Sequence, residues 1–544
     1  MNMNTYFALT IGPIYKTLSQ AQRTREFWGS SYMFSWIMRE IIVGMIKKTT
    51  ITNEDILMPH RDKHINLQKG TGLYHDRMIA VIKPEKKDLV LKDFKDTADA
   101  ILKQIEAKSG VPLNVLQSYF RLNAVLLDLD EKQNIVETIT NYLDSLELQN
   151  PIFHEDWKID WSDAIDNLNG KFFYKDAFGD HPDFVFDSIP EISSIGLRNA
   201  NDKEYDQLVK TYITDKFINK RRFPKKIESD IQDKFITQLS GSDLLKDAFR
   251  NYHKYIAIVH ADGDNFGKTI TTIGSSQEDV KDLSSLLFGF ASDAANEIKE
   301  YGGTNVYAGG DDLLFFAPVA TVNTNGNQTI FDLINKLDDH FRTTVSDKLI
   351  KIPGNDRPTL SWGVSISYYK FPLSEAIVSS RKLLFDDAKE YKGKNAVAFK
   401  LIKHTGQFFG ATFGKGGSDY KNFTELLKDK FNAETDFISS LQYRISENEA
   451  LLRAIFNATD YPTRVENFFD NFFDEEIHNQ KEKFIRNVQK MLIQAFDNTA
   501  LPKDFDTMKE EKQEKAHEER VKTAIDKTYS ALRFIHFLNS KSDE

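Results

Sequence analysis

From residue 254 the chain alternates short apolar runs with amphipathic ones, and this order leaves few folds open. KYIAIVHADGDNF (254–266) reads as a strand of β-branched residues that ends in a polar turn. EDVKDLSSLLFGFASDAANEIKEYGG reads as a helix, stopped by Gly302 and Gly303. NVYAGGDDLLFFAP holds two short strands about a turn. A helix over NQTIFDLINKLDDHFRTTVSDKL, a strand over TLSWGVSISYY, a helix over SEAIVSSRKLLFDDAKEY and a strand over NAVAFKLI follow. The order βαββαβαβ predicts a compact α+β sheet with helices packed on one face.

The remainder divides by texture. TYFALTI (5–11) and DRMIAVI (76–82) read as strands, with a helical stretch between them that is expected to break at WGSS (28–31). Residues 85–150 are charged and helical, 150–250 irregular, and 420–544 almost wholly helical, in the manner of a bundle. At 544 residues the chain exceeds a single core. Its net charge of −10 argues against a surface that binds nucleic acid everywhere, yet leaves room for a local basic groove. With no cysteine, disulfides and thiolate-ligated zinc are impossible, which suits a reducing, cytoplasmic setting. The start lacks a secretory signal, and WIMREIIVGMI, broken by Arg39 and Glu40, is far short of a membrane span.

The chemistry concentrates at two places. Asp262 and Asp264 stand two apart at the end of an apolar strand, so they face one way, and Gly263 leaves the backbone between them open to close approach. Gly309 and Gly310 are expected to supply the positive φ of a tight hairpin turn that carries Asp311 and Asp312. If the hairpin lies beside the first strand, three or four carboxylates converge. Their repulsion and desolvation call for a divalent cation with a taste for hard oxygen, Mg²⁺ or Mn²⁺, which commonly shares its carboxylates with substrate phosphates. Such ions serve attack by a ribose hydroxyl and departure of pyrophosphate. Lys268 and Lys394 are the candidates to hold the phosphates. GGDD alone suits a surface turn equally well; its order with Asp262-Gly263-Asp264 upstream and SWGVS (361–365) and AKEYKGKN (388–395) downstream is what favours a site.

The block 254–400 resembles the palm domain of GGDEF diguanylate cyclases and of related polymerase-like CRISPR subunits. IGPIYKTLSQAQRTREFWGSSYMFSWIMREI (11–41), followed by GLYHDRMIAVI (72–82), resembles the opening of the first, degenerate palm in the large subunit of type III-B CRISPR complexes, the Cmr kind. The resemblance implies two ferredoxin-like, nucleotidyl-cyclase-like palms: a first palm over 1–95, a mainly helical insertion over 96–250, a second palm with GGDD over 251–405 and a C-terminal helical domain over 406–544. It implies an enzyme, activated when guide RNA pairs with target RNA in a complex with other Cmr subunits. That enzyme converts ATP to cyclic oligoadenylate or joins it to S-adenosylmethionine. On this resemblance Asp262, Asp311 and Asp312 bind the metals and carry catalysis, assisted by the Gly263 carbonyl. Asp264, Asn265, Phe266, Lys268, Gly309, Gly310, Ser361 and Lys394 line the nucleotide, and Gly29, Ser30 and Ser31 hold the acceptor.

The chain departs from many relatives in two ways. It begins at the first palm, and His75-Asp76 lacks the spaced partners of a metal nuclease, so no HD nuclease and no DNase activity are expected. The four-cysteine zinc site of many relatives is also impossible. Other features keep two readings. Lys220, Arg221, Arg222, Lys225 and Lys226 suit an RNA backbone, a neighbouring subunit or a solvated loop. Trp28 suits a nucleotide wall or simple packing. His260 suits a structural role better than proton transfer, and Phe468-Phe469 and Phe472-Phe473 suit core or subunit contact. A stand-alone diguanylate cyclase and a silent scaffold are the competing functions; GGDD in place of GGDEF speaks against the first, and the intact acidic set against the second.

Overall fold

The computed structural model describes residues 3–21, 23–61, 70–148, 187–218, 225–323, 326–349, 357–428, 435–472, 481–502 and 505–541, with Ala164, Leu168, Phe173 and Asp176. Trp157, Trp161, Lys220, Arg221, Arg222 and Phe473 lie outside these residues; Lys225 and Lys226 open the helix Lys225–Gly241.

Strands β1 (Met3–Gly12), β2 (Ile56–Met58), β3 (Arg77–Ile82) and β4 (Arg121–Asp130) form an antiparallel sheet in the order β2-β3-β1-β4. The helix Thr24–Lys47 joins β1 to β2, and the helix Lys87–Ser109 lies between β3 and β4. This is a βαββαβ unit in the ferredoxin-like order. It is complete only with β4, which lies beyond residue 95 in a stretch expected to be helical. The reason is burial on two sides: Leu122, Ala124 and Leu126 pack on one core, and Val125, Leu127 and Leu129 on another, which hides the alternation that marks a strand.

The second sheet holds β5 (Tyr255–Asp264), β6 (Thr304–Gly309), β7 (Asp312–Pro318), β10 (Thr359–Tyr368), β11 (Ala396–Ile402) and β12 (Phe408–Gly414), while β8 (Ala320–Asn323) and β9 (Gly326–Thr329) form a separate hairpin. Its order is β12-β11-β10-β5-β7-β6, with only β10 and β11 parallel. Its inner run β6-β7-β5-β10 repeats the order of the first sheet. Both faces are covered, not one. Tyr255, Ala257, Val259 and Ala261 face the core under the helices Gln277–Glu300 and Ile330–Phe341, whereas Ile256 and Ile258 face Phe27, Ile192 and Ile377. A strand buried on both faces reads as one apolar run, as YIAIV does.

The helix Thr24–Lys47 runs unbroken through Trp28-Gly29-Ser30-Ser31. Phe27 meets Phe316 edge to face while Ile37, Met38, Ile41 and Ile42 enter the first core, and this all-round packing outweighs the weak helix propensity of Gly and Ser. The chain instead breaks between the helices Ile14–Leu18 and Thr24–Lys47. At the other end, helices over 418–539 pack on the second sheet, where Phe423 and Phe534 meet Phe331 edge to face and Phe534 lies tilted against Phe399; Phe468 and Phe469 are core residues. Residues 408–414, expected in the helical domain, supply edge strand β12. No described helix is long and apolar enough to cross a membrane.

Candidate active site

The carboxylates meet because of register. β5 lies between β7 and β10, so its carboxyl end emerges beside the β6–β7 turn. In that turn Gly309 pairs with Asp312, leaving Gly310 and Asp311 at the tip. Only Gly310 has positive φ, at 77°. Gly309 is needed for another reason: a Cβ there would overlap the Tyr307 hydroxyl. A Cβ on Gly263 would likewise overlap the Asp311 carboxylate and the Phe266 ring. Bare backbone at Gly263 is therefore what lets Asp311 sit against β5.

Crowding shows in the titration of these groups. Burial, then the Asp262 charge, pushes the Asp311 carboxyl up to about 6. Burial, then Asp262, Asp311 and Asp76, holds Asp312 well above the usual carboxylate range, with Lys389 opposing. Tyr307 is raised well above its ordinary value by burial and by Asp312.

Lys389 is the cation of the site. Its Nζ pairs with Asp262, donates to the Gly263 carbonyl at 2.6 Å and lies 3.4 Å from Asp264 Oδ1, with its side chain only 12% exposed. It arrives from the helix Leu373–Lys382 and the π-helical turn Leu383–Ala388. That helix can approach β10 because Gly363 has no Cβ; one would overlap the Ser380 carbonyl and the Leu384 nitrogen.

Asp264 shares a strand face with Asp262 but has a different task. It is fully buried, accepting from Thr359 Oγ1 (2.9 Å), Ser361 Oγ (2.8 Å) and the Asn395 amide (2.9 Å). It thereby ties β5 to β10 and to the Lys392–Asn395 turn, where Lys394 and Asn395 have positive φ. Ser361 is buried beneath it and offers no open hydroxyl. Asn265 also has positive φ, 66°, tolerable for Asn, and leads into the helix Phe266–Ile273. Lys268 and Lys394 are both exposed; Lys394 lines an open cavity of about 910 Å³ beside residues 410–417.

A second cavity, about 320 Å³, opens between the sheets; Asp76, His75, Phe266, Tyr307, Asp311 and Asp312 are among its walls. The first sheet is held here by backbone: the Ala308 amide donates to Gly72 O (3.3 Å) and the Ile135 amide to Gly274 O (2.7 Å). Burial raises Asp76 and lowers His75 to about 4. Gly29, Ser30 and Ser31 are not brought to this cavity; they are buried inside the helix Thr24–Lys47. Trp28 packs, stacking on Tyr32 and donating its indole N–H to Gly70 O at 2.5 Å. His260 is half-buried against Ser380 Oγ (2.8 Å) and pushed down to about 3 by desolvation, which disfavours its charged form. Lys389, Asp76 and Tyr307 escaped the sequence reading. Lys389 stood in the AKEYKGKN stretch, but nothing local ranks it above Lys394; His75-Asp76 draws notice only as a nuclease dipeptide without its partners, and nothing local points Asp76 to this cavity.

Among the described residues no group of three or more acidic or histidine side chains is arranged as a finished metal site. The donor chemistry nevertheless fits a hard divalent cation. Asp262 lies close enough to Asp311 and Asp312 for its charge to raise the pKa of both, and Asp262 and the Gly263 carbonyl already share one cation, the Lys389 ammonium.

Two family domains match the chain: "Cas10/Cmr2, second palm domain" over residues 255–398 and "CRISPR-associated protein Cmr2, N-terminal" over residues 6–109. The Cmr2 subunit of the CRISPR Cmr system of Pyrococcus furiosus is 25% identical over 301 residues, half of this chain but only 30% of that protein. Two cryo-EM structures of the type III-B Cmr-beta complex contain a similar fold. The apo state matches at TM-score 0.53 and 12% identity, covering 87% of this chain and 77% of that one. The state bound to cognate target RNA matches at TM-score 0.53 and 10% identity, covering 86% and 78%.

Proposed function

We propose that this chain, a member of the Cas10/Cmr2 family, is the nucleotidyltransferase subunit of a type III CRISPR effector complex. It uses ATP to make a nucleotide second messenger, cyclic oligoadenylate or an ATP–S-adenosylmethionine conjugate, when guide RNA pairs with target RNA. One observation carries this reading: the GGDD turn brings Asp311 and Asp312 against the end of β5, at the mouth of a cavity closed on its far side by the other sheet.

Asp262, Asp311, Asp312 and the Gly263 carbonyl would hold Mg²⁺ or Mn²⁺, which supplies charge neutralisation for the triphosphate and for the attacking hydroxyl. Lys389, which pairs with Asp262 in the nucleotide-free chain, would exchange that carboxylate for the phosphate oxygens of a bound nucleotide. The acceptor hydroxyl oxygen bonds to the α-phosphorus and releases its proton to water, the bond from that phosphorus to the oxygen bridging to the β-phosphate breaks, and pyrophosphate departs with that oxygen. Asp264 keeps β5, β10 and the Lys392–Asn395 turn in register, so it positions and does not ligate. The acceptor occupies the inter-sheet cavity, bounded by His75, Asp76 and Phe266.

The test is product analysis by mass spectrometry. The chain, assembled with guide RNA and partner subunits, receives Mg²⁺, ATP and matched target RNA, with and without S-adenosylmethionine. Oligoadenylate from ATP alone selects the cyclic messenger, and a product that requires S-adenosylmethionine selects the conjugate. Silence in both, with target binding verified, leaves the scaffold reading.

A further inference from the structure

A third cavity, about 550 Å³, lies between the β11–β12 hairpin and the C-terminal helices. Lys403, Arg533 and His536 line it, together with Phe408, Phe409 and Tyr529, and no acidic residue does. That is notable in a chain with 81 acidic and 71 basic residues. Burial here leaves polar atoms unanswered. Asn251, 3% exposed, has a side-chain oxygen with no hydrogen-bond partner, and so has the Gln442 amide nitrogen; both residues line the cavity. A buried amide group without a partner is costly, so two such residues on the lining of one cavity point to a ligand that satisfies them. The ring wall is partly open, with Phe408 62% exposed. Arg533 lies over the Phe409 ring at 4.5 Å and over Tyr529 at 5.8 Å and, among the described residues, meets no carboxylate.

We propose that this cavity binds a nucleotide. Arg533 and Lys403 meet its phosphate, the aromatic wall meets its base, and the side-chain amides of Asn251 and Gln442 meet base or ribose polar edges. A volume of this size is in the range of small-molecule sites. Arginine beside aromatic rings is a pairing that suits phosphate and base together. The site is remote from the carboxylates. Phe537 on its wall meets Tyr255 edge to face at 4.8 Å, and Tyr255 begins β5, whose residue 262 lies about 23 Å further along the strand at ~3.3 Å per residue. The ligand is either a free mononucleotide or one nucleotide of an RNA strand; the chemistry is the same.

The experiment uses the full chain as the Asp311→Ala/Asp312→Ala double variant in EDTA, so that neither turnover nor the carboxylate centre enters the readout. Adenosine 5′-monophosphate, a single-stranded RNA octamer and an octaglutamate peptide are titrated by calorimetry. Saturable binding of a nucleotide probe is expected, weakened at least tenfold by Arg533→Ala and by the isosteric Gln442→Glu. Melting midpoints within about 2 °C of the parent show that these variants fold. Monophosphate binding assigns a free nucleotide, and binding of the octamer alone assigns an RNA strand. Binding of neither, equal binding of octaglutamate, or nucleotide binding unchanged in both folded variants overturns the proposal.

Discussion

Lys389 sets its ammonium against the Asp262 carboxylate and completes the contact through the Gly263 carbonyl at 2.6 Å, although 127 positions separate Lys389 from Asp262 in the chain. A tethered cation thus stands where the donor set suits a metal. The two compete for the same oxygens, and this competition makes Lys389 testable apart from its proposed contact with phosphate.

Lys389→Gln is expected to tighten Mn²⁺ binding to the nucleotide-free chain by about tenfold, or ~1.4 kcal/mol, because a competitor is gone. The same change should lower kcat/KM for ATP at least tenfold, because the phosphates lose a cation. Electron paramagnetic resonance of free Mn²⁺ and steady-state kinetics measure the two effects. Weaker metal binding in the variant would show that the lysine supports the site and does not compete for it.

Asp311→Ala/Asp312→Ala removes two half-buried carboxylates that repel each other and Asp262. Product is expected to vanish while assembly into the complex persists. Without metal the variant should also melt higher, because repulsion in the folded state is relieved. Full activity in the double variant would refute the assignment of these carboxylates.

The metal-free chain should lose stability as pH rises. The Asp311 carboxyl goes from 3.8 to about 6 on folding, through burial and then the Asp262 charge. A raised folded-state pKa means that the folded chain holds the proton more tightly than the unfolded one. The resulting stability is full below 3.8 and lost as pH climbs through about 6. Asp312 acts in the same sense. The loss from Asp311 is about 1–3 kcal/mol. Urea midpoints in EDTA at pH 5 and pH 7.5 should fall less steeply in Asp311→Asn than in the parent, and equal slopes would remove Asp311 as the source.

Gly263→Ala is expected to cut activity at least a hundredfold, since its Cβ would overlap the Asp311 carboxylate and the Phe266 ring. Gly289→Ala is the control. It sits inside the helix Gln277–Glu300 with nothing within 4 Å of an added Cβ, and should gain about 0.5–1 kcal/mol with activity intact. Calorimetry and turnover separate the two cases. An active Gly263→Ala would mean that Asp311 need not approach β5.

Asp76→Asn tests the share of the first sheet in the site. KM for the acceptor substrate should change by about tenfold, while Mn²⁺ binding at the β5 end stays near the parent's. An unchanged KM would take the first sheet out of acceptor recognition.

The residues themselves determined the local half of this protein. Strand alternation put Asp262 and Asp264 on one face, Gly310 supplied the left-handed turn, and the order of strands and helices was legible from residue 254 apart from the β8–β9 hairpin and β12. These follow from backbone geometry over a few residues, which sequence spells out directly. Tertiary structure divided the roles. Asp264 became a buried tie because Thr359, Ser361 and the Asn395 amide close on it. Lys389, not Lys394, reached the carboxylates because Gly363 admits a helix to the sheet. β4 and Asp76 joined the architecture and the cavity through contacts with segments far away in the chain. Such choices depend on which side chains are desolvated together across a packed interface, and no window of neighbouring residues contains that information.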